Sequence, residues 1–350
     1  MKIGIIGLPQ TGKSTVFNLL TENQLVNENK AKPVAAVAKI PDARIDFLSD
    51  YYKPKKTTYA QVEIIDIPGL IPGSASFVFL DRVRQTEVLL LILKAFTPKN
   101  NPEPPDPFKE MKIVKEELLL ADLDLIEKRI TRIEEKNKKK NQSMEELQLL
   151  NKLKTNLEDE IPLSSFDFSN NDLELIANYE LLTLKPVLIC LNISDDEIES
   201  FQKEKYLKLY EAALELNWEV IALSAAIEQE ISGLEGDDKQ MFMNELGVSE
   251  PGISLISKNL YKLLGLISFF TVGEDEVKAW NILQNTPAKL AAGKIHSDIE
   301  RGFIRAEVAS YNNFFEFGGI PALRDKGLLR LEGKEYLVQD GDIVHFRFNV

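Results

Sequence analysis

Continuous apolar runs recur along the first part of the chain, and they predict strands that are buried on both faces. The runs do not alternate polar with apolar positions, and each is separated from the next by enough chain for a crossover connection. They are KIGIIGL (2–8), QVEIIDI (61–67), VLLLILKAF (88–96), PVLICLNI (186–193) and WEVIALSA (218–225). This pattern is typical of a doubly wound, mainly parallel α/β sheet.

The apolar spacing changes to a helical period between residues 108 and 165. Apolar positions recur every three or four residues on both sides of a lysine-rich segment: Leu123, Ile126, Ile130, Ile133, Leu147, Leu150, Leu153 and Leu157. Two helices that bury such stripes against each other form an antiparallel hairpin. We therefore predict a helical coiled-coil arm, inserted between two strands of the sheet.

The last part of the chain is rich in strand-forming residues. Segments such as GFIRAEVASY (302–311) and YLVQDGDIVHFRFNV (336–350) are separated by Gly and Asp-Gly turns. A small, separate β-dominated domain is expected from about Leu266. The chain thus divides into a discontinuous sheet domain (1–107 and 166–265), the arm (108–165) and the C-terminal domain (266–350).

The composition limits which functions the chain can have. Its 350 residues carry a net charge of −13 and one cysteine, and no run of about 18 apolar residues is present. The acidic balance argues against nucleic-acid binding over the whole surface, and no sequence-specific DNA binding is expected. We expect a cytoplasmic protein with no membrane span, because the chain opens on a strand rather than on a basic leader.

The turn after the first strand fits the P-loop pattern G-x-x-x-x-G-K-[ST]. In this pattern backbone N–H groups surround phosphate oxygens, Lys13 reaches the β- and γ-phosphates, and the Ser14 hydroxyl binds Mg²⁺. A plain glycine-rich turn is the alternative. The residues predicted to bind a nucleotide here are Gly7, Leu8, Pro9, Gln10, Thr11, Gly12, Lys13, Ser14 and Thr15.

A D-x-x-G motif ends the second apolar run, at Asp66 to Gly69. It supplies a carboxylate for the metal ion and a glycine N–H for the γ-phosphate. We predict that Lys13, Asp66 and Gly69 position phosphate and metal, and that Ser14 and Asp66 hold the Mg²⁺. Leu70 stands where many GTPases carry the glutamine that orients the attacking water, and a leucine cannot hydrogen-bond to water.

The base-binding motifs predict a purine nucleotide and leave its identity open. Asn192 and Asp195 keep the spacing of N-K-x-D, which reads guanine in GTPases, but Ile193 replaces the lysine of that motif. Ser224 and Ala225 match the loop whose backbone contacts the base. Alternatively, these two residues have only structural roles: Asn192 caps the end of the strand, and Asp195 caps a helix.

Over almost its full length the sequence resembles the YchF/Obg-like ATPase family of P-loop proteins. Besides the P-loop, the resemblance rests on PDARIDFLSDYYKPKK (41–56), LLLADLDLIEKRI (118–130), VIALSAAIEQEISGL (220–234) and most of 263–350. It implies a P-loop G domain, an inserted coiled-coil arm and a C-terminal TGS domain of β-grasp type. It also implies ribosome association and nucleotide hydrolysis, with ATP often preferred over GTP.

Three departures mark the chain as a divergent member of that family. Gln10 replaces the asparagine of the family P-loop, and the shortened segment 23–40 contains no Ser or Thr to bind Mg²⁺. The second switch, GLIPGSASFVFLDRVRQ (69–85), lacks part of the family's glycine-rich sequence. Together with Leu70, these changes predict very slow hydrolysis and similar affinities for ADP and ATP. Two functions stay open: a slow ATPase or GTPase, and an adaptor that binds nucleotide without hydrolysing it.

A basic segment lies at the predicted tip of the arm. KRITRIEEKNKKK (128–140) carries seven Lys or Arg residues and two Glu residues. We predict that the tip contacts ribosomal RNA phosphates without sequence specificity, through Lys136, Lys138, Lys139 and Lys140. A solubilising loop tip is the alternative.

Overall fold

The structure is a computed structural model that describes residues 1–22, 34–73, 76–97, 103–137 and 144–349, with the backbone alone at 76–79, 136 and 137. Its strands are β1 (Lys2–Ile6), β2 (Val34–Lys39), β3 (Lys56–Thr58), β4 (Gln61–Asp66), β5 (Val88–Ala95), β6 (Val187–Ile193), β7 (Glu219–Leu223), β8 (Leu266–Thr271), β9 (Glu276–Leu283), β10 (Phe303–Ser310), β11 (Arg330–Glu332) and β12 (Asp342–Phe348). Its α-helices are α1 (Lys13–Thr21), α2 (Ala43–Tyr52), α3 (Ser76–Val83), α4 (Pro107–Asn137), α5 (Met144–Glu158), α6 (Asn170–Ile176), α7 (Leu207–Glu215), α8 (Ala225–Ser232), α9 (Gly236–Glu245), α10 (Gly252–Leu263), α11 (Ala288–Ile295), α12 (Ser297–Arg301), α13 (Tyr311–Phe317) and α14 (Ile320–Asp325). Each of these helices is too short or too polar to span a bilayer.

The first sheet has the order β2-β4-β1-β5-β6-β7. From β4 to β7 every neighbouring pair is parallel. β6 is buried at every position, and β5 at every position except Lys94, because helices cover both faces. This confirms the predicted mainly parallel α/β sheet. The carboxyl ends of its parallel strands meet at one edge, which is where ligands bind in such sheets.

α4 and α5 form the predicted helical hairpin, inserted between β5 and β6. Its apolar seam contains the buried residues Leu119, Ile126, Ile130, Ile133, Leu149, Leu150, Leu153 and Leu157, with Leu123 and Leu147 partly buried against them. Two ion pairs of 2.7 Å, Arg129–Glu146 and Lys154–Glu127, join the helices. The first turns of α4 instead bury Met111, Val114 and Leu118 in the core of the first sheet. One helix therefore belongs to both the sheet core and the arm.

The second sheet has the order β11-β10-β12-β8-β9-β3 and is mixed. β10 pairs antiparallel with β11 and β12, and β8 pairs antiparallel with β9. The β12–β8 and β3–β9 pairs are parallel. α11 packs Ala288, Ala291 and Ala292 into a core with Phe269 and Phe346. This is the β-grasp arrangement predicted for the C-terminal part, and β8 begins at Leu266.

Contacts divide the chain into two compact units, Met1–Ala36 with Glu63–Ile256 and Val37–Val62 with Ser257–Val350. Residues 37–62, predicted to lie in the sheet domain, group by their contacts with the C-terminal part. The reason is long-range pairing: β3 adds to the edge of β9, and the Arg44 guanidinium lies 2.7 Å from the Asp340 carboxylate. The predicted boundaries near residues 108, 166 and 266 stay a prediction.

Candidate functional site

The P-loop lies between β1 and α1, at the carboxyl edge of the first sheet. Gly12 precedes the first residue of α1 and has φ +91°, a left-handed conformation. A Cβ atom on Gly12 would lie 2.4 Å from the Asn192 Nδ2 atom. Glycine is therefore required here for two reasons: other residues rarely adopt this backbone conformation, and Asn192 leaves no room for a side chain. Within the loop, the Thr11 hydroxyl donates to the Leu8 carbonyl at 3.1 Å.

Lys13, Ser14 and Asp66 lie together where α1 begins and β4 ends. Lys13 is buried, and its ammonium donates to the Leu8 carbonyl at 3.1 Å. The Ser14 hydroxyl donates to Asp66 Oδ2 at 3.3 Å. The other carboxylate oxygen, Oδ1, is buried and has no hydrogen-bond partner among the described residues. An unpartnered buried oxygen of this kind is suited to an incoming donor, or to the water shell of a cation.

Burial dominates the electrostatics of this cluster. It lowers the pKa of Lys13, against the attraction of Asp66 and Glu110, which raises that pKa. It raises the pKa of Asp66, against the effects of Lys13 and the Ser14 hydrogen bond. Both shifts favour the neutral forms, because desolvation outweighs the mutual attraction of the two groups. A polyphosphate beside Lys13 and a cation beside Asp66 would each favour the charged form.

The D-x-x-G segment lies directly against the P-loop. The Leu70 N–H donates to the Gly7 carbonyl at 3.0 Å, which places Gly69 beside the loop. The Leu70 side chain is fully buried and belongs to the core of the first sheet. Leucine at this position therefore contributes to the packing of the core.

The predicted base-binding residues form the wall of an adjoining cavity. Asn192 connects two loops, because its Nδ2 donates to the Thr11 carbonyl at 3.1 Å and its Oδ1 accepts from the Ala225 N–H at 2.9 Å. The Ser224 hydroxyl donates to Asp195 Oδ1. These residues line a cavity of about 390 Å³ together with Gly12, Thr15 and Ile193. The structure thus brings the three predicted groups of site residues together, and their roles stay a prediction.

Other residues near the site were not predicted from the sequence. Phe96, Thr97 and Gln229 also line the cavity. Phe96 and Thr97 follow β5, a strand end that carries no recognised motif, and only the parallel order of the strands indicates this position. Glu110 on α4 accepts the Lys94 N–H at 2.9 Å, and its charge acts on Lys13.

The donor set limits which metal ion the site could hold. Within the described ranges, His, Cys, Asp and Glu residues form no group of three or more that could bind a metal. A cation here would depend on Ser14, Asp66, water and phosphate oxygens, which are ligands that Mg²⁺ accepts. The segment predicted to lack a switch threonine lies largely outside the described residues, at 23–33.

Comparison with known proteins identifies the family. A family model described as a 50S ribosome-binding GTPase matches residues 2–193, and a model of the YchF GTPase C-terminal domain matches residues 266–349. The ribosome-binding ATPase YchF of Bacillus subtilis is 40% identical, over 99% of this chain and 99% of its own length. The chain belongs to the YchF family.

Other YchF relatives agree over the whole chain. The Obg-like ATPase 1 of rice (Oryza sativa) is 36% identical, over 100% of this chain and 92% of its own. The solved YchF GTPase of Schizosaccharomyces pombe is 29% identical and superposes with a TM-score of 0.87, covering 99% of this chain and 97% of that one. The resemblance inferred from the sequence segments is therefore confirmed, and the fold is that of the whole YchF protein.

Proposed function

We propose that this chain is a Mg²⁺-dependent nucleotide-binding protein that hydrolyses ATP slowly and acts in association with the ribosome. One observation carries the proposal: the P-loop places buried Lys13 beside the Ser14–Asp66 pair, whose second carboxylate oxygen has no partner among the described residues. The names of the relatives, ribosome-binding ATPases, support the same activity and partner.

In this proposal each part of the site has a separate role. Backbone N–H groups of residues 7–15, apart from Pro9, which has none, surround the phosphates, and the Lys13 ammonium contacts the β- and γ-phosphate oxygens. Ser14 and Asp66 would hold the Mg²⁺, which neutralises phosphate charge when bound. Gly69 would offer its N–H to the γ-phosphate. Lys13, Asp66 and Gly69 therefore act by positioning, because phosphoryl transfer needs little covalent chemistry from the protein.

Slow hydrolysis follows from Leu70. Its side chain is packed into the core and its N–H is held by the Gly7 carbonyl, so that neither can orient an attacking water. P-loop enzymes that do carry a water-orienting glutamine hydrolyse at only about 10⁻⁴ to 10⁻³ s⁻¹ without an activator. The same observation favours the second candidate, a nucleotide-bound adaptor that does not hydrolyse.

We propose ATP as the preferred nucleotide, with GTP as the alternative. Ile193 cannot supply the cation that packs along guanine in N-K-x-D proteins, and Asp195 already accepts a hydrogen bond from Ser224. Guanine recognition at this motif therefore lacks the contact that the lysine supplies. Displacement of labelled ATP by unlabelled GTP tests this preference, and tenfold tighter binding of GTP would reverse it.

The first prediction concerns hydrolysis itself. With protein in excess over γ-labelled ATP and Mg²⁺, we expect one turnover of phosphate release, at about 10⁻³ s⁻¹ or slower, because no side chain orients the water. Removal of Mg²⁺ with EDTA should stop the release, and added ribosomes should accelerate it. Tight ATP binding with no phosphate release above that of free ATP, with or without ribosomes, would identify the chain as the adaptor instead.

We further propose that the arm tip contacts ribosomal RNA, and that the protein is cytoplasmic. The basic segment 128–140 on an otherwise acidic chain supports the contact. Lys136 lies in the last turn of α4, and Lys138, Lys139 and Lys140 lie outside the described residues. A contact of this kind is a charge interaction with the RNA backbone and carries no sequence information.

The second prediction tests this contact. Replacing Lys136, Lys138, Lys139 and Lys140 together by glutamine should weaken co-sedimentation with ribosomes and flatten its dependence on salt, because fewer counterions are released on binding. The matched control replaces the same four residues by arginine, which keeps the charge, and it should co-sediment like the unmodified protein. Unchanged co-sedimentation and salt dependence in the glutamine variant would show that the tip only solubilises the arm.

A further inference from the structure

α4 carries three acidic residues that accept hydrogen bonds from other segments of the first unit. Glu110 accepts the Lys94 N–H at the end of β5, Glu117 accepts the Gly73 N–H, and Asp122 binds the Arg84 guanidinium just after α3. Gly73 and Arg84 both belong to the second-switch segment, 69–85. The arm helix thus contacts this segment at two points, and the end of β5 at a third.

The Glu117–Gly73 contact is the one closest in sequence to the D-x-x-G motif. Glu117 Oε1 accepts the Gly73 N–H at 3.1 Å, and Glu117 is only 5% exposed. Its neighbours Met111, Val114 and Leu118 are packed in the core of the first sheet, so that the helix position is fixed. The carboxylate is therefore presented from a fixed helix to the N–H of Gly73, three residues beyond Leu70.

The backbone at Gly73 is adapted to this contact. Gly73 has φ +93°, in the left-handed region, yet a Cβ atom there would meet no atom within 4 Å. A larger side chain would fit at this position, so glycine is favoured here by its backbone conformation and not by a lack of space. A left-handed residue turns the chain sharply, and here that turn directs the Gly73 N–H at the arm helix.

We propose that Glu117 is a positioning residue for hydrolysis: it holds the second-switch loop, through the Gly73 N–H, in the arrangement that places Gly69 at the γ-phosphate. Residues 70–73 of the loop are then fixed at both ends, by the Leu70 N–H on the Gly7 carbonyl and by the Gly73 N–H on Glu117. Since Glu117 lies on the helix that continues into the arm, the arm is connected to this loop through that helix and one hydrogen bond. The inference rests on the proposed ATP hydrolysis.

The test compares Glu117→Ala and Glu117→Gln with the unmodified protein. We expect Glu117→Ala to slow single-turnover ATP hydrolysis about tenfold, as the loss of a hydrogen bond to a charged group does, while its affinity for ADP stays within about twofold. Glu117→Gln should lie between the two, because an amide oxygen still accepts the Gly73 N–H. A general collapse of the site would weaken ADP binding and hydrolysis alike, and that result would overturn the proposal.

Hydrogen exchange gives a readout that does not depend on activity. In Glu117→Ala the peptide covering residues 67–73 should exchange faster than in the unmodified protein, while residues 2–12 stay unchanged. The matched control is Glu116→Ala, since Glu116 is the exposed neighbour on the same helix turn. Absence of hydrolysis in the unmodified protein would refute the proposed function alone. Unchanged exchange at residues 67–73 in Glu117→Ala, or unchanged hydrolysis by it, would refute the role of Glu117.

Discussion

Replacing Lys13 by methionine should reduce single-turnover ATP hydrolysis by at least about 100-fold, the usual effect of removing one donor that stabilises charge in a transition state. Methionine has a similar length and no charge, and Lys13 is only 8% exposed, so that the variant fills the same space. Burial lowers the pKa of Lys13, which means that folding desolvates the ammonium at a cost. We therefore expect the variant to be at least as stable as the unmodified protein, and its loss of activity to be chemical.

The control for this result is Lys2→Met. Lys2 begins β1, at the opposite end of the strand that leads into the P-loop, and its ammonium lies 3.9 Å from Glu63. Hydrolysis by this variant should stay within about twofold of the unmodified protein, because a half-exposed ion pair contributes little. Hydrolysis by Lys13→Met within tenfold of the unmodified rate would mean that the phosphates do not lie in this loop.

The elements predicted correctly from the sequence are those whose signal is local. β5 and β6 are continuous apolar runs because both of their faces are covered, and the arm shows a helical period because its two helices bury a single seam. β2 and β3 were not predicted. β2 is an edge strand of alternating exposure, and β3 has only three residues. Their positions depend on partners far away in the chain, as does the grouping of residues 37–62.

The residues of the candidate site divide in the same way, into those with a local sequence signal and those placed by contacts between distant parts of the chain. The P-loop and D-x-x-G motifs were recognised because each is a short pattern, and the structure places them in contact through Leu70 and Gly7. Phe96 and Thr97 line the cavity only because β5 and β6 are neighbours. Glu117 and Gly73 are 44 residues apart in the chain, and although Gly73 lies in the recognised second switch, no motif indicates its contact with Glu117. Contacts of this kind follow from the packing of α4, which no local pattern specifies.

Replacing Asp122 by alanine should lower the free energy of unfolding by about 3–5 kcal/mol, the usual cost of leaving one member of a buried ion pair uncompensated. Asp122 is fully buried, and its Oδ1 lies 2.5 Å from the Arg84 guanidinium, which is itself buried. The same carboxylate accepts the Leu182 N–H at 3.0 Å and the Thr183 N–H and hydroxyl at 2.8 Å. All four donors would lose this acceptor, and the Arg84 guanidinium would keep the exposed Asp81 carboxylate, 3.6 Å from its Nε, and the carbonyls of Ala121 and Glu180. Urea unfolding followed by circular dichroism measures the change.

A comparison with Asp124→Ala separates the effect of losing a buried carboxylate from the effect of losing a charge. Asp124 pairs with Lys128 at 2.7 Å on the same helix, but both side chains are exposed, so that Asp124→Ala should cost only about 0.3–0.5 kcal/mol. Arg84→Met combined with Asp122→Ala should recover part of the loss, because no unpaired charge then remains in the core. Equal destabilisation by Asp124→Ala and Asp122→Ala would contradict the burial argument. The expected difference instead identifies Arg84–Asp122 as a stabilising contact between the end of the second-switch segment and the arm helix.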